Sequence, residues 1–272
     1  MNKFKDDEIV LLLTATVTPQ FNYMAHNASM RLNQYITAIK WYLENTPFRI
    51  IIGENSACYN LKHNFDVKYL ERIELICYQE TNTTRTFGYN EMLILRNVYE
   101  RSIFLKDAKL VFKITGRLIV PNVMWHVAQL RRIGGGSFIA ADLHYNLDYI
   151  DSRFFAFTVS RYSDILKEEP NCCAIHWNDI HAGKCRNGDN GKWVDFESTI
   201  GAVIRKGMVK DMSSFRYLCF PIFVKGIEGY HGTTYDDSFI FRLKLIAKKT
   251  IKDLYWWFFV NPTLKSRLKK LQ

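Results

Sequence analysis

Three polar clusters in this 272-residue chain carry side chains suited to chemistry, and each one follows a short apolar run. Thr14 and Thr16 follow residues 9–13, Glu54, Asn55 and Ser56 follow residues 48–52, and Thr115-Gly116-Arg117 follows residues 110–114, with Lys113 inside that run. The hydroxyls, amide and carboxylate can hydrogen-bond a polar ligand, and a fixed guanidinium or ammonium can neutralise phosphate without a metal. Glu91, Asp142, Asp151 and His231 are of the types that take up a proton in general base catalysis. Each has a plainer reading beside this one. The strand-end residues can simply cap loops, and Lys113 and Arg117 can form surface salt bridges. Glu91 is favoured near a helix start by the helix dipole, and His231 can be a hydrogen-bonded structural histidine.

Two other groupings carry less chemistry. Cys172-Cys173, His176, His181 and Cys185 match no standard zinc spacing, and adjacent cysteines seldom bind one tetrahedral ion together. Gly134-Gly135-Gly136 lacks the Lys-Ser/Thr of a phosphate loop and reads as a turn.

The elements that would position these groups follow from periodicity. Residues 9–13 form an unbroken apolar run suited to a strand buried on both faces. Residues 30–43 place apolar side chains at helical spacing and 48–52 predict a second strand, making a βαβ unit. A third strand is expected at 73–78, a helix at 89–104 and a fourth strand at 110–114. Strand-like runs follow around 138–140 and 154–157, then a long loop over 171–194, a helix over 196–209 opened by Glu197, and a strand over 218–224. The fold class expected is α/β, a Rossmann-type, mostly parallel sheet flanked by helices, whose ligands sit at the carboxyl ends of the strands.

The formal net charge of +10 calls for an anionic partner, and its location matters more than its size. From Arg242 onward nine basic side chains face Asp253 alone, about +8 of the total. They share that segment with Ile251, Leu254, Tyr255, Trp256, Trp257, Phe258, Phe259 and Val260, a combination suited to a helix in the headgroup layer of a membrane. The alternative is a helix that packs its aromatics on the core and exposes its lysines. No apolar stretch reaches the roughly 20 residues needed to span a bilayer. The charged start and the six cysteines lead to the expectation of a cytoplasmic protein, peripheral on the inner face of the membrane.

The succession Leu13-Thr14-Ala15-Thr16 with Pro19, Arg31-Leu32 with Tyr35, Trp41-Tyr42, Glu54-Asn55-Ser56, Phe87-Gly88-Tyr89-Asn90-Glu91 and Phe112-Lys113-Ile114-Thr115-Gly116-Arg117 resembles bacterial capsule and O-antigen glycosyltransferases with a GT-A-type fold. Ile150-Asp151-Ser152-Arg153-Phe154-Phe155 resembles a further segment of the same enzymes. The resemblance covers roughly residues 9–160 well and implies sugar transfer from a nucleotide-sugar donor, a UDP-sugar before others, to a glycan or glycolipid acceptor.

On this reading Thr14, Thr16, Glu54, Asn55, Ser56, Gly88, Tyr89, Lys113, Thr115, Gly116, Arg117 and Arg153 are expected to bind the donor. Asp142, Asp151, Glu91 and His231 are the candidates for catalysis or acceptor binding. Many enzymes of this fold hold a divalent ion with an Asp-Xaa-Asp at the end of the fourth strand. Here Thr115-Gly116-Arg117 stands in its place, so no metal or other cofactor is expected, while Asp142, Asp148 and Asp151 leave a Mn²⁺ or Mg²⁺ site open. Residues 1–240 are expected to form the transferase domain, 1–117 its nucleotide-binding half and 118–240 its acceptor half, with 241–272 a basic tail on an anionic membrane surface. Two other readings are a non-catalytic membrane adaptor with a degenerate transferase fold and a nucleic-acid-binding protein. The clustering of charge in the tail speaks against nucleic acid as a partner.

Overall fold

A computed structural model describes residues 3–18, 28–80, 87–169, 195–227 and 233–270. Its centre is a seven-stranded sheet with the order β3-β2-β1-β4-β6-β5-β7. The strands are β1 (Ile9–Ala15), β2 (Arg49–Glu54), β3 (Ile73–Cys77), β4 (Leu110–Thr115), β5 (Ile139–Ala141), β6 (Phe154–Thr158) and β7 (Phe215–Tyr217). β1, β2, β3 and β4 run parallel, and β6 runs antiparallel to both β4 and β5. This is the mostly parallel α/β sheet flanked by helices that the sequence predicts. Every residue of β1 is buried, as an interior strand covered on both faces requires.

Among the described residues the α-helices are α1 (Ala28–Asn45), α2 (Phe87–Arg101), α3 (Phe104–Asp107), α4 (Val123–Ile133), α5 (Tyr162–Leu166), α6 (Phe196–Lys210), α7 (Phe239–Tyr255) and α8 (Leu264–Lys270). One face of the sheet packs on α1 and α4 through residues such as Leu11, Tyr35, Phe112 and Leu130. The other packs on α2, α5 and α6 through Leu12, Leu95, Phe155 and Ile200. Apolar burial on both faces is the main source of stability, at roughly 25 cal/mol per Å² removed from water.

Two expectations are corrected. The strand expected over 218–224 does not form: β7 ends at Tyr217, and the segment beyond it contains Pro221, which has no N–H to give a ladder. Asn122 holds this segment instead, its amide donating to the Pro221 carbonyl (2.7 Å) and its oxygen accepting from Phe223 N (3.2 Å). The helix expected over 89–104 ends at Arg101, and α3 follows as a separate short turn. Beyond α7 the chain continues through a wide turn, Trp256–Val260, to α8, and Trp256, Val260, Leu264 and Leu268 are buried in the core. The C-terminal segment is thus part of the packed body along one stripe. Its other face is taken up below.

Candidate active site

The order β3-β2-β1-β4 reverses between β1 and β4, and the crevice at the carboxyl ends of those strands is where ligands of such sheets bind. The loops there are held by side chains read in the sequence as ligand contacts. Thr16 N–H donates to the Tyr35 hydroxyl (2.9 Å), Arg31 Nε donates to the Thr16 carbonyl (2.9 Å), and the Thr16 hydroxyl donates to Asn55 Oδ1 (2.7 Å). Glu54 is fully buried. Its Oε1 accepts from Val17 N (3.2 Å), Ser56 N (3.0 Å) and the Ser56 hydroxyl, and its Oε2 accepts from Cys58 N (2.8 Å) and the Cys77 thiol (3.3 Å). Burial and the Glu54 carboxylate push that thiol up to about 12. Ser56 Oγ in turn accepts from Thr18 N (2.9 Å). Glu54, Asn55 and Ser56 therefore shape the crevice from within, tying the β1 loop to the β2 loop.

The fourth strand contributes a second buried network. Lys113 is fully buried, donates to the Ser152 carbonyl (2.7 Å), forms an ion pair with Glu91 and lies over the rings of Phe155 and Phe196. Glu91, on α2, also accepts from the Thr14 hydroxyl (2.9 Å). Lys113 thus joins β4, α2 and the start of β6, its charge already matched by a carboxylate. Gly88 and Tyr89 lie in the first turn of α2, with Tyr89 packed against the core. Thr115 N–H donates to the Arg153 carbonyl (3.0 Å) and Gly116 N–H to the Thr14 carbonyl (2.9 Å). A Cβ at Gly116 would lie 2.7 Å from that same carbonyl, so only glycine fits where β1 and β4 close on each other.

Arg117 donates from Nε to the Ile227 carbonyl (3.1 Å) and, among the described residues, pairs with no carboxylate. Ile227 forms an antiparallel bridge with Thr234, and Tyr235 beside it faces the Arg153 guanidinium, 5.1 Å from the ring centroid. His231, like Pro19 and the Cys172–Cys185 grouping, lies outside the described residues.

Beside the crevice opens a cavity of ≈ 1080 Å³, at the upper end of the range for ligand sites. One wall carries the carboxylates Asp142, Asp151 and Glu197, and the opposite wall is α7, with Lys249, Lys252 and Tyr255. Asp142 accepts from Lys249 Nζ (3.0 Å) and Lys252 Nζ (2.9 Å). Burial opposes its charge, and the two ammoniums outweigh that and hold its carboxyl below the ordinary range. Asp151 accepts from Arg153 Nε (2.8 Å) and a terminal nitrogen (2.6 Å), a fork pairing that keeps the half-exposed guanidinium charged against its own burial. Glu197, in the first turn of α6, accepts from the Ser152 hydroxyl (2.5 Å). Among the described residues it forms no ion pair. Burial lifts its carboxyl above the ordinary range, helped by Glu91 and Asp195 and opposed by the Ser152 hydrogen bond.

The candidates thus fall into two adjoining groups. Thr14, Thr16, Glu54, Asn55, Ser56, Glu91, Lys113, Thr115, Gly116 and Arg117 surround the crevice, and Asp142, Asp151 and Arg153 line the cavity. Ser152 joins them, its carbonyl on Lys113 and its hydroxyl on Glu197. Glu197, Ser152, Lys249 and Tyr235 were not expected as site residues. The only sequence signal for Glu197 was its place at a helix start, which the helix dipole explains equally well. Thr115, Gly116 and Arg117 at the end of β4 offer no carboxylate, and Asp142 and Asp151 pair with Lys249, Lys252 and Arg153.

No protein-family profile matches the chain, and no curated protein matches it. Among solved structures it is similar to the glycosyltransferase GlyE of Streptococcus pneumoniae TIGR4, with 13% identity and a TM-score of 0.45 over 79% of this chain and 45% of that one. It is also similar to the bifunctional glycosyltransferase WbbM (12% identity, TM-score 0.48, 93% of this chain and 46% of that one). A third is the galactosyltransferase LgtC, solved with donor and acceptor sugar analogues (10% identity, TM-score 0.42, 76% of this chain and 72% of that one). The chain spans less than half the length of the first two. Functional inference rests on the residues of the site itself.

Proposed function

We propose that the chain is a glycosyltransferase that moves a sugar from a nucleotide-sugar donor, a UDP-sugar before others, to a lipid-linked or growing surface-polysaccharide acceptor, without a metal cofactor. The observation that carries this reading is the juxtaposition of two spaces. The strand ends that carry Thr14, Asn55 and Gly116, where ligands of such sheets bind, are joined through the Thr115–Arg153 hydrogen bond to a large cavity bearing carboxylates and cations. Transfer between two substrates needs this arrangement, one space for the donor and one for the acceptor, with the reacting atoms meeting at their junction.

In this reading Arg117, which has no carboxylate partner among the described residues, takes the donor diphosphate and stabilises the charge that develops as it leaves. Arg153, forked onto Asp151 and capped by Tyr235, fixes the junction. Membrane association of residues 241–272 belongs to the same reading, because the exposed apolar side chains of α7 lie beside Lys244, Lys248 and Lys252.

The test is Arg117→Ala. Its one described hydrogen bond is to a backbone carbonyl, so the variant is expected to fold normally and to lose 10²-fold or more in turnover, on the order of removing one charge-stabilising donor. Release of the nucleoside diphosphate from UDP-, GDP- and dTDP-sugars, with and without Mn²⁺, measures it. Normal turnover in the variant would remove the diphosphate site from Arg117, and dependence of the wild type on Mn²⁺ would overturn metal independence.

A further inference from the structure

We propose that Glu197 is the catalytic base of the reaction, taking the proton from the acceptor hydroxyl in a single displacement that inverts the anomeric carbon. The inference rests on the glycosyltransferase reading and deepens it. Three carboxylates line the cavity. Asp142 is fixed by the ammoniums of Lys249 and Lys252, and Asp151 is fixed by the guanidinium of Arg153. A carboxylate so paired is weakly basic, and its lone pairs are already directed at donors.

Glu91, a fourth candidate, is paired with Lys113 and accepts from Thr14. Glu197 differs from all three. It accepts one neutral hydrogen bond, from Ser152, and no cation neutralises it among the described residues. It stands in the first turn of a 15-residue helix capped by Asp195, whose side chain accepts from Ser198 N. Its surroundings also hold its proton affinity above that of an ordinary carboxylate, the direction a general base near neutral pH requires.

The step is as follows. A carboxylate oxygen of Glu197 takes the acceptor's hydroxyl proton as the acceptor oxygen forms a bond to the anomeric carbon. The bond between that carbon and the donor phosphate oxygen breaks, and its electron pair leaves with the nucleoside diphosphate. Glu197 returns its proton to solvent before the next turnover. Ser152 is a positioning residue, since it orients the carboxylate without touching the reacting atoms.

The experiment follows nucleotide release from a panel of UDP-, GDP- and dTDP-hexoses, with water and with octyl β-D-glucoside as acceptors, and reads product configuration by NMR. Glu197→Gln is expected to bind donor as the wild type does, by thermal shift, and to lose about 10²- to 10⁴-fold in kcat. The wild-type rate should fall with a slope of one as the pH drops through the Glu197 titration, a limb absent in Glu197→Gln. Glu197→Asp should restore the limb in part, and Ser152→Ala should move its midpoint upward by removing a hydrogen bond that favours the charged form. Turnover of Glu197→Gln within tenfold of wild type, or a product of retained configuration, would overturn the assignment while leaving the transferase reading intact. A wild type inactive on every donor would overturn that reading, and this inference with it.

Discussion

At the strand ends, Glu54 is fully buried and its two oxygens meet five donors, three of them backbone N–H groups. Across the cavity, the 17-residue helix α7 buries one residue, Lys249, and leaves Phe239, Ile240, Leu243, Ile246 and Ile251 exposed. The first wall is fixed by short hydrogen bonds in a dry interior, where an unmet polar group is expensive. The second is held by ion pairs of Lys249 and Lys252 with Asp142, which water and salt reach more easily. On the proposed function, the first wall would hold the donor in hydrogen-bonded loops and the second would meet the acceptor on a wall held by ion pairs. The comparison predicts very different responses to mutation on the two sides.

The largest effect is expected from Glu54→Ala. Removing the carboxylate strands several buried donors, each worth about 1–3 kcal/mol, so the variant should lose at least about 3 kcal/mol in urea denaturation even with water entering the site. Asp142→Ala, made on the other wall, should cost less, since Lys249 keeps Asp253 at 3.0 Å. Equal losses in the two variants would erase the distinction between the walls.

Buried His126, on α4, has its ring tilted against Phe154 with centroids 4.8 Å apart. Burial, then the charge of Lys249, depresses its pKa to about 4, against the opposite pull of Asp142. The unfolded chain takes up this proton first on acidification, so stability present above about pH 6.5 is lost as the pH falls toward 4. The contribution is about 2 kcal/mol between pH 7 and pH 5. His126→Phe should flatten that part of the stability profile; Nδ1 has no partner among the described residues, while Nε2 lies 3.5 Å from the Asn122 amide, so a uniform offset at all pH values is expected beside the flattening. An unchanged slope in the variant would assign the acid sensitivity elsewhere.

How far the sequence revealed this arrangement differs between the walls in the same way. The strands of the first wall were legible because β1, β2 and β4 are buried on both faces and so read as unbroken apolar runs. Glu54 and Lys113 were visible as polar residues at the end of or inside apolar runs, yet their partners come from distant segments, as with Lys113 and Ser152, 39 residues apart. Local pattern therefore found the residues and could not separate clamp from ligand contact. Glu197 was hidden for the converse reason: a carboxylate in the first turn of a helix is common, and only the fold shows which carboxylates lack cations. The strand expected over 218–224 failed because apolar content outweighed Pro221 in the reading.

The smallest effect on stability, with the largest on location, is expected at the outer face of the C-terminal segment. Ile251, Trp257 and Phe258 are 68%, 69% and 69% exposed, while Trp256 and Val260 between and beside them are buried at 7% and 0%. The segment therefore spends one stripe on the core and offers a second stripe of comparable size with nothing on it. A soluble surface seldom carries a patch of this kind unless a partner covers it. On the proposed membrane association, the basic side chains of the C-terminal segment would favour an anionic bilayer, each adding roughly 1 kcal/mol near such a surface. No described helix is long and apolar enough to cross a membrane, so contact on this face would be interfacial. Replacing Trp257 and Phe258 together by Asp should change unfolding free energy by less than about 0.5 kcal/mol, as for other exposed sites. It should also abolish sedimentation with phosphatidylglycerol vesicles. A stability loss of several kcal/mol, together with a wild type that sediments as a dimer without lipid, would mean that a second copy covers the stripe, and the outer face would then join the packed wall.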